Sequence, residues 1–111
     1  MAEVIRDRGA RSHLHAPDLI DIEVAHVFRP HTMQGTLTEA RAEGAIELLQ
    51  RLPVTRHPAG ILLPRIWALR GTLTAYDAAY VSLAEALGAQ LITCDGRLAR
   101  ASGHGAAVVA V

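Results

Sequence analysis

Short apolar runs alternate with longer stretches of helical period along this chain, and that alternation is the tightest constraint on its fold. Residues 13–16, Val54-Thr55-Arg56-His57, Leu91-Ile92-Thr93-Cys94 and Ala106 to Val111 are too short for helices and read as strands. Between them lie helical stretches. Pro17 opens one that runs to about Arg29, since proline is tolerated in a first turn. Pro30 ends it, because the residue before a proline avoids helical geometry. Residues 31–35 make a loop closing at Gly35. A second helix spans about Thr36 to Leu52 and stops at Pro53. Its Leu37, Ala40, Gly44, Ala45, Leu48, Leu49 and Leu52 share one stripe, and Thr36 and Glu39 have capping-box spacing. Ile61 to Arg70 is a short helix interrupted early by Pro64, Thr74 to Leu87 is a helix closed by Gly88, and Gly96 to Ala101 makes a short turn of helix. Residues 1–12 are polar and read as a frayed helix end with a turn at Gly9. Strands that alternate with helices imply an α/β domain with a mostly parallel sheet.

A chain of 111 residues, half of them apolar, fits a single domain with a real core. No apolar run reaches the roughly 20 residues that span a bilayer, and no membrane role is expected. The single cysteine, Cys94, excludes an internal disulfide and fits a reducing, cytoplasmic setting. The formal net charge is zero, so composition does not mark a nucleic-acid binder, and any such function must rest on a local site.

Three carboxylates occupy unusual places. Glu23 falls inside the apolar arc of its helix, among Leu19, Ile20, Val24 and Val27. A carboxylate there is desolvated and needs a cation or a donor, unless the apolar face is simply imperfect. Asp77 lies in the first turn of the 74–87 helix, at the margin of a buried stripe of Tyr76, Tyr80, Leu83, Ala84 and Leu87. Thr74-Ala75-Tyr76-Asp77 also has capping-box spacing, so a cap competes with a ligand role. Asp95 follows the strand 91–94, where ligands bind in open parallel sheets, and it can equally cap the next short helix. Together the three can converge on one crevice and bind a hard divalent cation through oxygen.

The segments that carry these acids resemble those of the PIN-domain ribonucleases of the VapC toxin type. Leu14-His15-Ala16-Pro17-Asp18-Leu19-Ile20-Asp21-Ile22-Glu23-Val24 is similar to the family's approach to its helical Glu. Leu73-Thr74-Ala75-Tyr76-Asp77-Ala78-Ala79-Tyr80 is similar to its third motif, continued by Leu83-Ala84-Glu85-Ala86-Leu87-Gly88-Ala89. Leu91-Ile92-Thr93-Cys94-Asp95-Gly96-Arg97-Leu98 is similar to the strand that delivers its last Asp. The resemblance implies a three-layer α/β/α fold and an endoribonuclease that uses Mg²⁺ or Mn²⁺. It also implies a VapB-like antitoxin and a homodimer, with Glu23, Asp77 and Asp95 as metal-binding catalytic acids. The family begins with an apolar strand ending in Asp, and nothing before Leu14 matches it. Asp7 lies too close to Glu23 to fill that role, so the expectation is a domain incomplete at its N-terminus and lacking its central strand. A competing expectation is a non-catalytic fragment that retains only antitoxin or dimer binding.

Other residues carry less. His13 and His15 alternate on one strand face, but a zinc site needs more ligands than these. His26, His31, His57 and His104 are scattered and read as surface or loop residues. Cys94 reads as a small core residue, Trp67 as a core anchor, and Arg29, Arg97 and Arg100 as solvated bases within reach of phosphates.

Overall fold

In a computed structural model, which describes residues 3–7, 9 and 13–111, the chain divides into two compact units. Residues 1–18 and 54–111 form an α/β unit, and residues 19–53 form a helical unit. The α/β unit is built on a five-stranded sheet. Its strands are β1 (Glu3–Arg6), β2 (Leu14–Pro17), β3 (Val54–His57), β4 (Gln90–Thr93) and β5 (Ala107–Ala110), in the order β3-β2-β1-β4-β5. Strand β1 runs antiparallel to both neighbours, while β2 pairs with β3 and β4 with β5 in parallel. Four strands therefore point one way and only β1 opposes them, so the sheet is mixed but mostly parallel, as the alternating pattern predicts.

The central position of this sheet is filled, which corrects the expectation of a missing strand. The residues that fill it were expected to be a frayed helix end. Ile5 pairs with Leu91 on one side and with His15 on the other. Ile5 and Leu91 are completely buried. The reading failed because the alternation is disguised: Glu3 and Ile5 are buried, Val4 is half-buried and Arg6 is exposed. A buried carboxylate in an otherwise apolar file hides the period of two.

Helix α4 (Ala75–Leu87) packs on β1, β2 and β4. Its ends follow local rules: Thr74 Oγ1 accepts from the Asp77 N–H, and Gly88 closes the helix at φ +60°. Ala78, Ala79, Val81 and Leu83 are buried, but Tyr76 is 62% exposed, against its expected place in the stripe. A 3-10 turn (Gly60–Leu62) leads into α3 (Leu63–Ala68), where Pro64 sits in the first turn. Trp67 does not anchor α3 in the core. It is 65% exposed, and the Arg70 guanidinium stacks 4.7 Å from its ring centroid. Arg65 forks onto Glu85 at 2.9 and 2.8 Å, and Glu85 also accepts from the Gly105 N–H. That clamp ties α3, α4 and the approach to β5 together.

The helical unit pairs α1 (Ile20–Met33) with α2 (Glu39–Arg51). Pro17 ends β2 rather than opening α1, and Pro30 lies inside α1 instead of stopping it. Pro30 and His26, whose carbonyl loses its helical donor to the proline, are both exposed residues, and Thr32 Oγ1 donates to the nearby Arg29 carbonyl at 2.8 Å. Gly35, at φ +77°, makes the turn. Thr38, not Thr36, caps α2, accepting from the Arg41 N–H at 3.2 Å, while Thr36 donates to the His31 carbonyl. None of the described helices is long and apolar enough to cross a membrane.

The packing of β1 generates a prediction. Ile5→Ala should cost about 2–5 kcal/mol, the range for emptying a fully buried aliphatic site. Urea denaturation measures it, and a loss below about 1 kcal/mol would mean that β1 does not hold the sheet together.

Candidate active site

Helix α4 and strand β4 each deliver one acid to the same end of the sheet. Asp77 stands in the first turn of α4, and Asp95 follows the last residue of β4, where it becomes the N-cap of α5 (Gly96–Arg100). Both line a hollow of about 240 Å³ together with Thr72, Leu73, Thr74, Arg97, Leu98 and Ala101. The sequence-derived pair Asp77 and Asp95 is thus brought together. Glu23 belongs to the helical unit, half-buried in the first turn of α1 with its N–H on the Leu19 carbonyl.

Asp95 is tightly held. Its N–H donates to Thr93 Oγ1 at 3.0 Å, and Thr93 is buried. Its Oδ1 accepts from the Arg97 N–H at 2.9 Å, the cap that sequence spacing also allows. The Arg97 guanidinium folds back onto the same carboxylate, Nε to Oδ1 at 3.4 Å and a terminal nitrogen to Oδ2 at 3.3 Å. These are long for charge-assisted bonds, so the fork is loose. The Arg97 side chain and then its backbone N–H hold the Asp95 carboxyl below the usual carboxylate range. The hydrogen bonds to Asp95, and then the negative charges of Asp95 and Asp77, in turn raise Arg97 above its ordinary value.

Asp77 is in a different state. Its backbone N–H is satisfied by Thr74, yet its Oδ1 is buried and accepts no hydrogen bond among the described residues. A capping box would aim a carboxylate oxygen back at the Thr74 N–H, and Oδ1 does not serve there. A buried carboxylate oxygen without a donor is costly, and a cation removes that cost. On this observation the pair fits a hard divalent ion, which takes few carboxylates and keeps waters. Among the described residues no group of three or more His, Cys, Asp or Glu side chains is arranged to hold a metal.

The sequence reading missed two features near this site. Glu3, buried at 8% exposure, pairs across from Thr93 and so stands at the carboxyl end of β4, although it does not line the hollow. Its only sequence signal is a carboxylate within Glu3-Val4-Ile5. Asp7, which a parallel strand would have carried to this end, lies beyond Arg6, whose partner Gln90 begins β4. Cys94, expected in the core, is exposed.

Comparison with known proteins gives the chain its family. The PIN domain family matches residues 1–103. Ribonuclease VapC3 of Mycobacterium tuberculosis is 45% identical over 97 residues, which cover 87% of this chain and 71% of that protein. VapC ribonuclease Mb0985 of Mycobacterium bovis is 42% identical over 103 residues, covering 88% and 81%. Ribonuclease VapC12 of Mycobacterium tuberculosis is 40% identical over 95 residues, covering 86% and 74%.

The Arg97 fork predicts how Asp95 titrates. Its pairing is fully present above the usual carboxylate range and is lost as pH falls through the lowered value. Carboxyl-carbon NMR should show Asp95 titrating below ordinary aspartates, and Arg97→Ala should move it part of the way back. The backbone N–H of residue 97 remains in the variant, so the return should be incomplete. An Asp95 midpoint unmoved by Arg97→Ala would leave the cap alone responsible.

Proposed function

The chain belongs to the PIN-domain family, among the VapC-type ribonucleases, and on that premise we propose that it is an RNA-cleaving toxin dependent on a divalent metal ion. The observation that carries this reading is the buried, donor-free Oδ1 of Asp77 in a hollow shared with Asp95. Asp77 and Asp95 would hold Mg²⁺ or Mn²⁺, with Glu23 as the further acid that the family resemblance adds. Such an ion, when bound, activates water and stabilises the charge that develops on a phosphodiester.

The chain's own residues supply the rest. Thr93 and the α5 cap fix the direction of Asp95 before any ligand arrives, which spares ordering cost. Thr74 does the same for the backbone of Asp77. Arg97 neutralises Asp95 through a loose contact and would be released where a cation took its place on that carboxylate. Its side chain is 87% exposed, so the released guanidinium is free to meet an RNA phosphate. The net charge of zero makes this local contact more important, because no excess of positive charge on the chain as a whole draws RNA in at long range. A VapB-like antitoxin as the neutralising partner and a homodimer as the working form complete the proposal.

Cleavage of a single-stranded RNA with Mn²⁺ or Mg²⁺ tests the reading. Asp77→Asn and Asp95→Asn should each lower the rate by about two orders of magnitude or more, the scale of losing one charge-stabilising group. Both variants should keep the far-UV spectrum of the parent. Wild-type cleavage unaffected by a chelator, or retained in both variants, would overturn the metal-dependent mechanism. Calorimetry should find Mn²⁺ binding that is loose in the wild type and lost in Asp77→Asn, since few carboxylates hold the ion.

A further inference from the structure

From the end of the sheet opposite Asp95, where Asp7 stands, three side chains form an unbroken hydrogen-bonded row that reaches across β2 to the last residue of β3. Asp7, just after β1, receives His15 Nε2 on Oδ2 at 3.1 Å. Nδ1 of the same His15 ring, in β2, faces His57 Nε2, in β3, at 2.9 Å. The other carboxylate oxygen of Asp7 accepts from the N–H groups of Gly9 and His13 at 3.3 and 3.2 Å. Asp7 is thereby fixed, and the His15 and Asp7 side chains are only 14% and 28% exposed. The row bridges the start of the β1–β2 connection, strand β2 and the edge strand β3.

The geometry dictates where the protons sit. A carboxylate only accepts, so His15 Nε2 carries a proton. When His15 is neutral its Nδ1 is therefore a bare lone pair, and His57 Nε2–H must donate to it. When His15 gains a proton, Nδ1–H donates instead, and His57 must present a bare Nε2 by moving its own proton to Nδ1. One proton is thus absorbed with every bond kept. A second leaves two N–H groups facing each other at 2.9 Å between two cations, and the contact must break. A metal ion does not fit here. The ring centroids are 5.1 Å apart, close to the nitrogen separation plus two ring radii, so the lone pairs point along one line. Two ligands need lone pairs that converge on a point off that line.

The charged and titratable groups around this row are His13, whose positive form also acts on Asp7 through its charge, Asp18, Arg56, Arg6 and, on α4, Asp77 and Glu85. His13 touches Asp7 through its backbone, and Asp18 donates its N–H to the His57 carbonyl while its carboxylate accepts from Ala59. Arg56 pairs with Ala16, one residue away from both histidines, and so lies on the other sheet face. Arg6 reaches Gln90. On α4, Asp77 lines the hollow and Glu85 is held by Arg65.

We propose that Asp7, His15 and His57 form a proton-counting latch that stays closed with one added proton and releases the β2–β3 edge with the second. The unfolded or opened state binds both protons and the closed state only one, so opening becomes easier as pH falls. The opening equilibrium should rise by up to about tenfold for each pH unit through which the second proton is taken up, since the open state binds one proton more. The row shares no residue with the hollow of Asp77 and Asp95, so the latch stands or falls apart from the nuclease reading.

Nitrogen-15 NMR of the histidine rings, with hydrogen exchange of the β2 and β3 amides, tests this on the whole chain. The expected signature is a tautomer switch of His57 from Nε2–H to Nδ1–H as His15 becomes charged, followed at lower pH by loss of protection at β2 and β3. In His57→Gln the amide can donate or accept but does not titrate, so the steep loss of protection should disappear. Two rings that charge independently with no tautomer switch at His57 would overturn the latch. So would protection that stays level at a pH where the nitrogen-15 signals show both rings charged. Should His57→Gln fail to fold, the wild-type tautomer switch decides the question alone.

Discussion

Everything in the sheet depends on the four residues of β1. Glu3–Arg6 gives ladder partners to β2 on one side and β4 on the other, and neither neighbour has another partner on that side. Buried backbone groups without partners each cost roughly 1–3 kcal/mol, so a sheet of this width cannot hold an empty centre. The strand that fills it needs no long apolar run. It needs one face compatible with α4 and the sheet's interior, and Ile5 against Leu91 provides the central contact of that face.

What was legible in the sequence was what is local. The ends of α4 were readable because Thr74, Asp77 and Gly88 act within a turn of themselves. Strands β3, β4 and β5 were readable as short apolar runs between breakers, and the carboxyl end of β4 marked Asp95. The hidden parts depend on distant partners. Strand β1 is a strand only because β2 and β4 flank it, and its buried Glu3 contradicts a hydrophobic file. Pro30 is compatible with α1 because that side of the helix is exposed, a fact no local rule contains. Thr36 and Thr38 both offered caps, and the chain uses the second. Trp67 and Tyr76 are large and apolar, yet the residues around them do not bury them.

The electrostatics show the same division. A net charge of zero says nothing of how charges are grouped. In the α/β unit they fall into separate local sets: Arg97 on Asp95, Arg65 on Glu85, and His15 on Asp7. The first is loose and borders the donor-free oxygen of Asp77, the second is a short bidentate clamp, and the third is a row in which a proton can change owner. Looseness suits a site that must admit a ligand, and shortness suits a joint. Distances of 3.3 and 2.8 Å for the same pair of chemical groups therefore separate a loose contact from a tight one.

Strand direction sets which acid stands at which end of the sheet. A parallel β1 would bring the residue after its last position to the carboxyl end of β4, beside Asp95, and that residue is Asp7. The antiparallel β1 sends Asp7 to the other end, next to Gln90, and brings Glu3 opposite Thr93 instead. Asp7 then meets a histidine on β2, and that histidine reaches one on β3, so a carboxylate removed from one site becomes the anchor of a different one. The reversal changes no residue and no composition. It alters only which end of a four-residue strand faces which end of the sheet. The chemistry available at each end of this sheet thus follows from a pairing register as much as from the side chains, and a motif search that assumes the direction of β1 looks for the acid at the wrong end.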